Sequence, residues 1–135
     1  MKQENNIRTI EPDYNFRVLI NRLKAKFPVA FNQFNSFPFS NDFFPDCFFE
    51  YIESHGLNLS HKLAEPTKSN FAGTYCYKIK FNPVVCKKLG RKIPYFAYYG
   101  IKSEISAIEK GIEKSFQIIE CLLNDKMLVE KRRVL

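Results

Sequence analysis

GIKSEISAIEKGIEKSFQIIECLL, residues 100–123, is the stretch on which the reading of this chain turns. Ile101, Ile105, Ile108, Ile112, Phe116, Ile119 and Leu123 recur at three- and four-residue steps, the period of one helix face. Ser103 stands where an N-cap belongs, and Ser106 with Glu109 offers an alternative capping box. Gly111 falls inside the pattern as a mild interruption, costing up to ~1 kcal/mol against Ala. Glu109, Lys110, Glu113 and Lys114 read as a solvated helix face with mixed charge pairs.

Upstream of this helix the period changes from 3.6 to 2. In Thr74–Phe81, Tyr75, Tyr77, Ile79 and Phe81 alternate with Cys76, Lys78 and Lys80, which predicts a strand buried on one face. Asn82-Pro83 breaks it. Residues 84–92, VVCKKLGRK, read as a connection ending in a basic turn around Gly90. Ile93–Tyr99 is a further strand, in which Tyr95, Tyr98 and Tyr99 read mostly as packing, with Tyr98 or Tyr99 available for contact. His61–Glu65 is a short, weaker strand candidate.

Nearer the start, Phe16, Leu19, Ile20, Leu23 and Phe27 predict a helix opened by Glu11-Pro12-Asp13 and ended by Pro28. Residues 28–42 have no period and read as an ordered aromatic loop. A second helix, starting near Pro45 with Asp42 or a neighbour capping and stopped by Gly56, has Phe44, Cys47, Phe48, Tyr51, Ile52 and His55 on one stripe and Asp46, Glu50 and Glu53 opposite. Nine of the 14 phenylalanines lie between Phe27 and Phe49. The expected role of that segment is to join the N-terminal helix to the rest. Phe34, Phe37, Phe39 and Phe49 are the residues to watch for a protein contact, since an exposed aromatic patch marks an interaction surface.

The order helix, strand, strand, strand, helix over residues 43–123 resembles the double-stranded RNA-binding domain family. FFEYIESHGLNLSHKLAEP is similar to that family's first helix and strand, TYCYKIKF to its second strand, and GIKSEISAIEKGIEKSFQII to its last helix. The resemblance implies an α+β fold: a three-stranded antiparallel sheet with helices on one face, here with an added N-terminal helix. The expected organisation is a flexible leader (1–12), the helix and Phe-rich connector (13–42), the α-β-β-β-α domain (43–124) and a basic tail (125–135).

Such domains contact RNA from three places. On the first helix, Glu50 or Glu53 would stand at the contact position, but with Asp46 they form an acidic face that repels phosphate. The loop between the first two strands is Thr67–Gly73 and lacks the family's histidine. The lysine run that opens the last helix survives only as Lys102, with Glu104 of the wrong sign beside it. The family's usual duplex-binding residues are therefore mostly missing.

The charge distribution still favours an anionic partner. Residues 1–65 carry seven Lys or Arg against eight Asp or Glu, and residues 66–135 fourteen against six. Lys87, Lys88, Arg91 and Lys92 form the expected binding cluster, extended by Lys78, Lys80, Lys102, Arg132 and Arg133. With the helices on one face, the other sheet face should show Lys78 and Lys80 among few large aromatics, a poor stacking platform.

No nucleophile elbow, Walker loop or HExxH is present, so a non-catalytic protein without metal or cofactor is expected. His55 reads as a packed histidine, and His61 has no readable acid or nucleophile partner. Cys47, Cys76, Cys86 and Cys121 have no metal-ligand spacing and read as reduced thiols. With no signal peptide or apolar span, the expected setting is cytoplasmic. Two functions fit: association with RNA or a ribonucleoprotein, or a protein-docking module. The latter includes a mobile-element inhibitor of the anti-CRISPR kind that docks on a nucleoprotein enzyme. The family resemblance also permits a homodimer.

Overall fold

The computed structural model describes residues 16–40, 44–63 and 74–124. The leader, the Thr67–Gly73 loop and the basic tail, with Arg132 and Arg133, lie outside them. Among the described residues the chain is α+β. Its elements are α1 (Arg17–Lys26), α2 (Pro28–Asn35), α3 (Phe44–Ser54), β1 (Leu57–Leu63), β2 (Tyr75–Phe81), α4 (Pro83–Leu89), β3 (Tyr95–Ile101) and α5 (Glu104–Leu123). The three strands form one antiparallel sheet in the order β1-β2-β3.

Helix α5 is the centre of the fold. Ser103 caps it, its hydroxyl accepting from Ser106 N at 3.1 Å. Ile108, Ile112, Phe116 and Ile119 are buried, and so is a second row, Ala107, Gly111, Ser115 and Ile118. Two buried rows mean two neighbours: the sheet on one side, helices α2 and α3 on the other. Gly111 is more than an interruption, because a Cβ there would lie 2.7 Å from Leu59 Cδ1 and 3.3 Å from Tyr77 Cγ. The missing side chain lets α5 come down onto β1 and β2. Ile101, placed on the helix face by its spacing, instead ends β3.

The first part of the aromatic segment, Pro28–Asn35, folds as a helix where a loop was expected, and residues 36–40 are non-helical. Pro28 stops α1, but it also sits in the first turn of α2, where its missing N–H is harmless. Phe27, with φ −131° and ψ 64°, is the joint between the two helices. Phe31 and Phe34 are buried, and Phe34 is the hub of the aromatic core. Its ring stands 5.1 Å from Phe48, 5.4 Å from Tyr51 and 5.5 Å from Phe116 between centroids. Each such pair adds about 0.5–1.5 kcal/mol beyond burial. The Tyr51 hydroxyl reaches Ala30 O (3.0 Å) and Gln33 Oε1 (2.7 Å), and Glu120 of α5 accepts from Ala30 N at 2.7 Å.

A further helix, α4, stands between β2 and β3, where the sequence predicts only a connection. Asn82 Oδ1 accepts from Val85 N at 2.8 Å, Pro83 takes the first turn, and Gly90 ends α4 at φ 73°. The Asn-Pro pair that breaks the strand is at once a cap and a first-turn proline. Strand β1 begins at Leu57, four residues before the expected His61, and runs to Leu63. Leu57 and Leu59 join the core and bring His61 with them.

Candidate nucleic-acid interface

Antiparallel register places directly opposed residues on the same sheet face. Asn58 pairs with Lys80 and Lys80 with Tyr95; Ser60 pairs with Lys78 and Lys78 with Ala97; Lys62 pairs with Cys76. A register shift between Tyr75 and Tyr77 sets two β3 residues, Tyr99 and Gly100, against Cys76 alone, which keeps Tyr99 on the Cys76 side of the sheet. The helices cover the opposite face, where Leu57, Leu59, Tyr77, Ile79 and Phe81 are buried. The outer face therefore carries Lys62, Lys78, Lys80, Tyr95 and Tyr99.

Those groups are arranged for contact. Lys62 and Lys80 are exposed and Lys78 is half-buried. Tyr95 and Tyr99 keep 42% and 49% of their surface in solvent. The Lys78 ammonium lies 4.6 Å from the Tyr95 ring centre, so one charge is already poised over an aromatic plane. None of the three strands contains an Asp or Glu. The expectation of few large aromatics on this face is corrected: both tyrosines come from β3, whose alternation puts them outward. This combination offers cations for phosphates and rings on which bases can stack.

The basic residues expected between β2 and β3 lie on the last turn of α4 and in the turn that follows it. Lys87 and Lys88 are exposed on the last turn of α4. Lys88 lines a cleft of about 340 Å³ shared with His55, Asn82 and Leu122. Arg91 is committed to the fold: its guanidinium lies 5.5 Å from the Phe81 ring centre and Nη2 donates to Tyr95 O at 3.2 Å. Lys92 is exposed in the turn before β3, and Lys102 just before α5.

The aromatic contact candidates also move inward. Phe34 is only 4% exposed and offers no surface to a partner. Phe37, Phe39 and Phe49 are half-buried and packed on the core. Glu50, weighed as an RNA contact, instead accepts from the Ser40 backbone N–H (3.0 Å) and hydroxyl (2.9 Å), tying the aromatic segment to α3.

Each histidine has a partner. His55 Nε2 lies 2.7 Å from Gln33 Oε1, and burial holds its pKa below the ordinary 6.5. His61 is 6% exposed, and its Nε2 lies 3.0 Å from Glu104 Oε2. Glu104, the wrong sign for a phosphate grip, serves a buried imidazole. Glu113 of α5, read as part of a solvated face, bridges to Lys26 (3.0 Å) and Arg22 (3.4 Å) of α1. The four cysteines are free thiols. No helix among the described residues is long and apolar enough to cross a membrane.

No known family model matches the chain, and no curated protein or solved structure is detectably similar to it.

Proposed function

We propose that this chain is a non-catalytic binding protein that associates with RNA through the outer face of its sheet. One observation carries the reading: Lys62, Lys78 and Lys80 share an acid-free face with the half-exposed rings of Tyr95 and Tyr99. Lysines alone would hold any anion. Lysines interleaved with tyrosines suit an unpaired strand, whose bases can leave their stack and lie on the rings. The order α3, β1, β2, β3, α5 follows the double-stranded RNA-binding domain pattern, with α4 inserted, and supports RNA as the nucleic acid. The departures from that family's duplex contacts favour unpaired over paired RNA. The candidate protein contacts of the docking alternative are reduced to half-buried Phe37, Phe39 and Phe49, since Phe34 is buried.

The test is fluorescence anisotropy with a labelled single-stranded oligoribonucleotide and its duplex. The single strand should bind more tightly. With three lysines engaged, log affinity should fall with log salt at a slope of about −2. The double variant Lys78→Glu with Lys80→Glu should abolish binding, and Tyr95→Ala should weaken it at every salt concentration. Absence of binding at low salt would overturn the proposal and leave the protein-docking reading, which a pull-down with and without nuclease would address.

A further inference from the structure

The cleft beside Lys88 lies where three helices end or begin. Helix α3 stops at Ser54, and His55 and Gly56 lead out of it. Helix α4 starts at Pro83, and Leu122 and Leu123 close α5. Asn82 N donates to Gly56 O at 3.0 Å and holds the two turns together. Gly56, at φ 82°, allows that approach: a Cβ there would lie 2.5 Å from Asn82 Nδ2 and 2.8 Å from Val85 Cγ2. The space of about 340 Å³ between these elements falls within the usual range for small-molecule sites, roughly 300–1,000 Å³.

The lining divides into an apolar wall and one charge. Val84, Val85, Leu122 and Leu123 supply the wall; Val84 keeps 62% of its surface in solvent, and the two leucines are half-buried. The polar groups of the rim are mostly engaged in the fold. Asn82 Oδ1 caps α4 through Val85 N, Ser54 Oγ donates to Tyr51 O at 2.6 Å, and His55 Nε2 is paired with Gln33. Burial holds the His55 pKa below its ordinary value, so the ring is neutral at pH 7. No Asp or Glu lines the cleft. Lys88 stands on the exposed face of α4, one turn after Val84, and makes no hydrogen bond or ion pair among the described residues.

We infer that this cleft binds an aliphatic monocarboxylate, its chain against Val84, Leu122 and Leu123 and its carboxylate on Lys88. A single uncommitted cation beside an apolar wall suits one negative charge carried on an apolar body. None of the outer-face residues lines the cleft, so the inference does not rest on RNA binding.

The experiment is an NMR titration of the full chain at pH 7 with octanoate, octanamide and butanoate, reading backbone amides and the valine and leucine methyl groups. Octanoate should give saturable shifts at Val84, Lys88, Leu122 and Leu123. Butanoate should bind at least about tenfold more weakly, because fewer methylenes leave water. Octanamide keeps the chain and loses the charge, so it should bind about two- to fivefold more weakly, the scale of a solvent-exposed ion pair. Lys88→Glu should reverse that order and make octanamide the tighter ligand. Lys87→Glu, on the same helix but outside the cleft, should preserve it. Val84→Asp should weaken octanoate more than octanamide. Both variants change exposed positions, and unshifted amides elsewhere report an intact fold. The double variant Lys78→Glu with Lys80→Glu, on the outer face, should keep octanoate binding, so the two sites fail or survive separately. Shifts that do not saturate at millimolar octanoate, saturation confined to residues away from the cleft, equal affinity for octanoate and octanamide, or an unchanged order in Lys88→Glu would each overturn the inference.

Discussion

The rings of Phe34 and Phe48 stack with centroids 5.1 Å apart and planes 6° from parallel, joining α2 to α3. Phe116 of α5 meets both rings, at 5.5 Å and 6.1 Å. Three helices thus share one aromatic contact. Phe34→Ala should cost about 3–5 kcal/mol, the range for deleting a buried phenylalanine. Phe39→Ala, at a half-buried position beside it, should cost clearly less. Urea denaturation of the two variants checks the order; equal losses would mean that Phe34 is not the hub.

Gly111 makes an opposing pair of effects measurable. Alanine would gain up to ~1 kcal/mol of helix propensity, but its Cβ would have to displace Leu59 and press on Tyr77. Overpacking a core of this kind costs typically 1–3 kcal/mol. Gly111→Ala should therefore lower the unfolding midpoint despite the better helix former, and Gly111→Val should lower it further. A more stable Gly111→Ala protein would show that Leu59 moves aside freely.

Removing the carboxylate of Glu104 leaves the buried His61 ring nitrogen without its partner. Leaving a buried polar group unmatched costs about 1–3 kcal/mol. Glu104→Ala should show that loss in thermal unfolding, and Glu104→Gln, which can still hydrogen-bond, should recover part of it. Identical stabilities of the two variants would argue against a role for the contact.

Tyr51 and Tyr77 make the protein sensitive to alkali. Burial is the first cause of a pKa well above 10.0 in both, with Glu120 adding to Tyr51, and Tyr98 and Glu113 adding to Tyr77. The folded state thus holds these protons more tightly than the unfolded chain does. Their contribution is complete below pH about 10 and is lost as pH rises beyond it. Tyrosinate absorbance should show the two ionising only as the fold is lost, and Tyr51→Phe should flatten the fall in stability above that pH. Ionisation of all tyrosines in the intact fold would contradict this.

Charge reversal separates the basic residues. Lys87→Glu with Lys88→Glu alters α4 and should change RNA affinity by no more than a few-fold, through long-range steering. Lys78→Glu with Lys80→Glu alters the outer sheet face and should abolish binding. Anisotropy on both double variants decides between the α4 cluster and the sheet.

Much of this architecture was legible along the chain. The isoleucine spacing of α5, the alternation of β2 and the stripe of α3 are local periodic patterns, and a period reports which side of an element is buried. The departures came where one residue type carries two meanings. Pro28 and Asn82-Pro83 read as stops, and each also starts a helix, because a proline that ends one hydrogen-bond ladder fits the first turn of the next. The candidate sites were less legible, since they join residues far apart in the chain. Lys62 comes onto the same sheet face as Lys78 and Tyr95 only through strand register. Glu104 finds His61 across the fold. Periodicity names the face on which a side chain lies. Which faces are covered, and which charges end up beside which rings, depends on how the layers are placed, and here a single glycine against Leu59 sets how closely α5 meets the sheet.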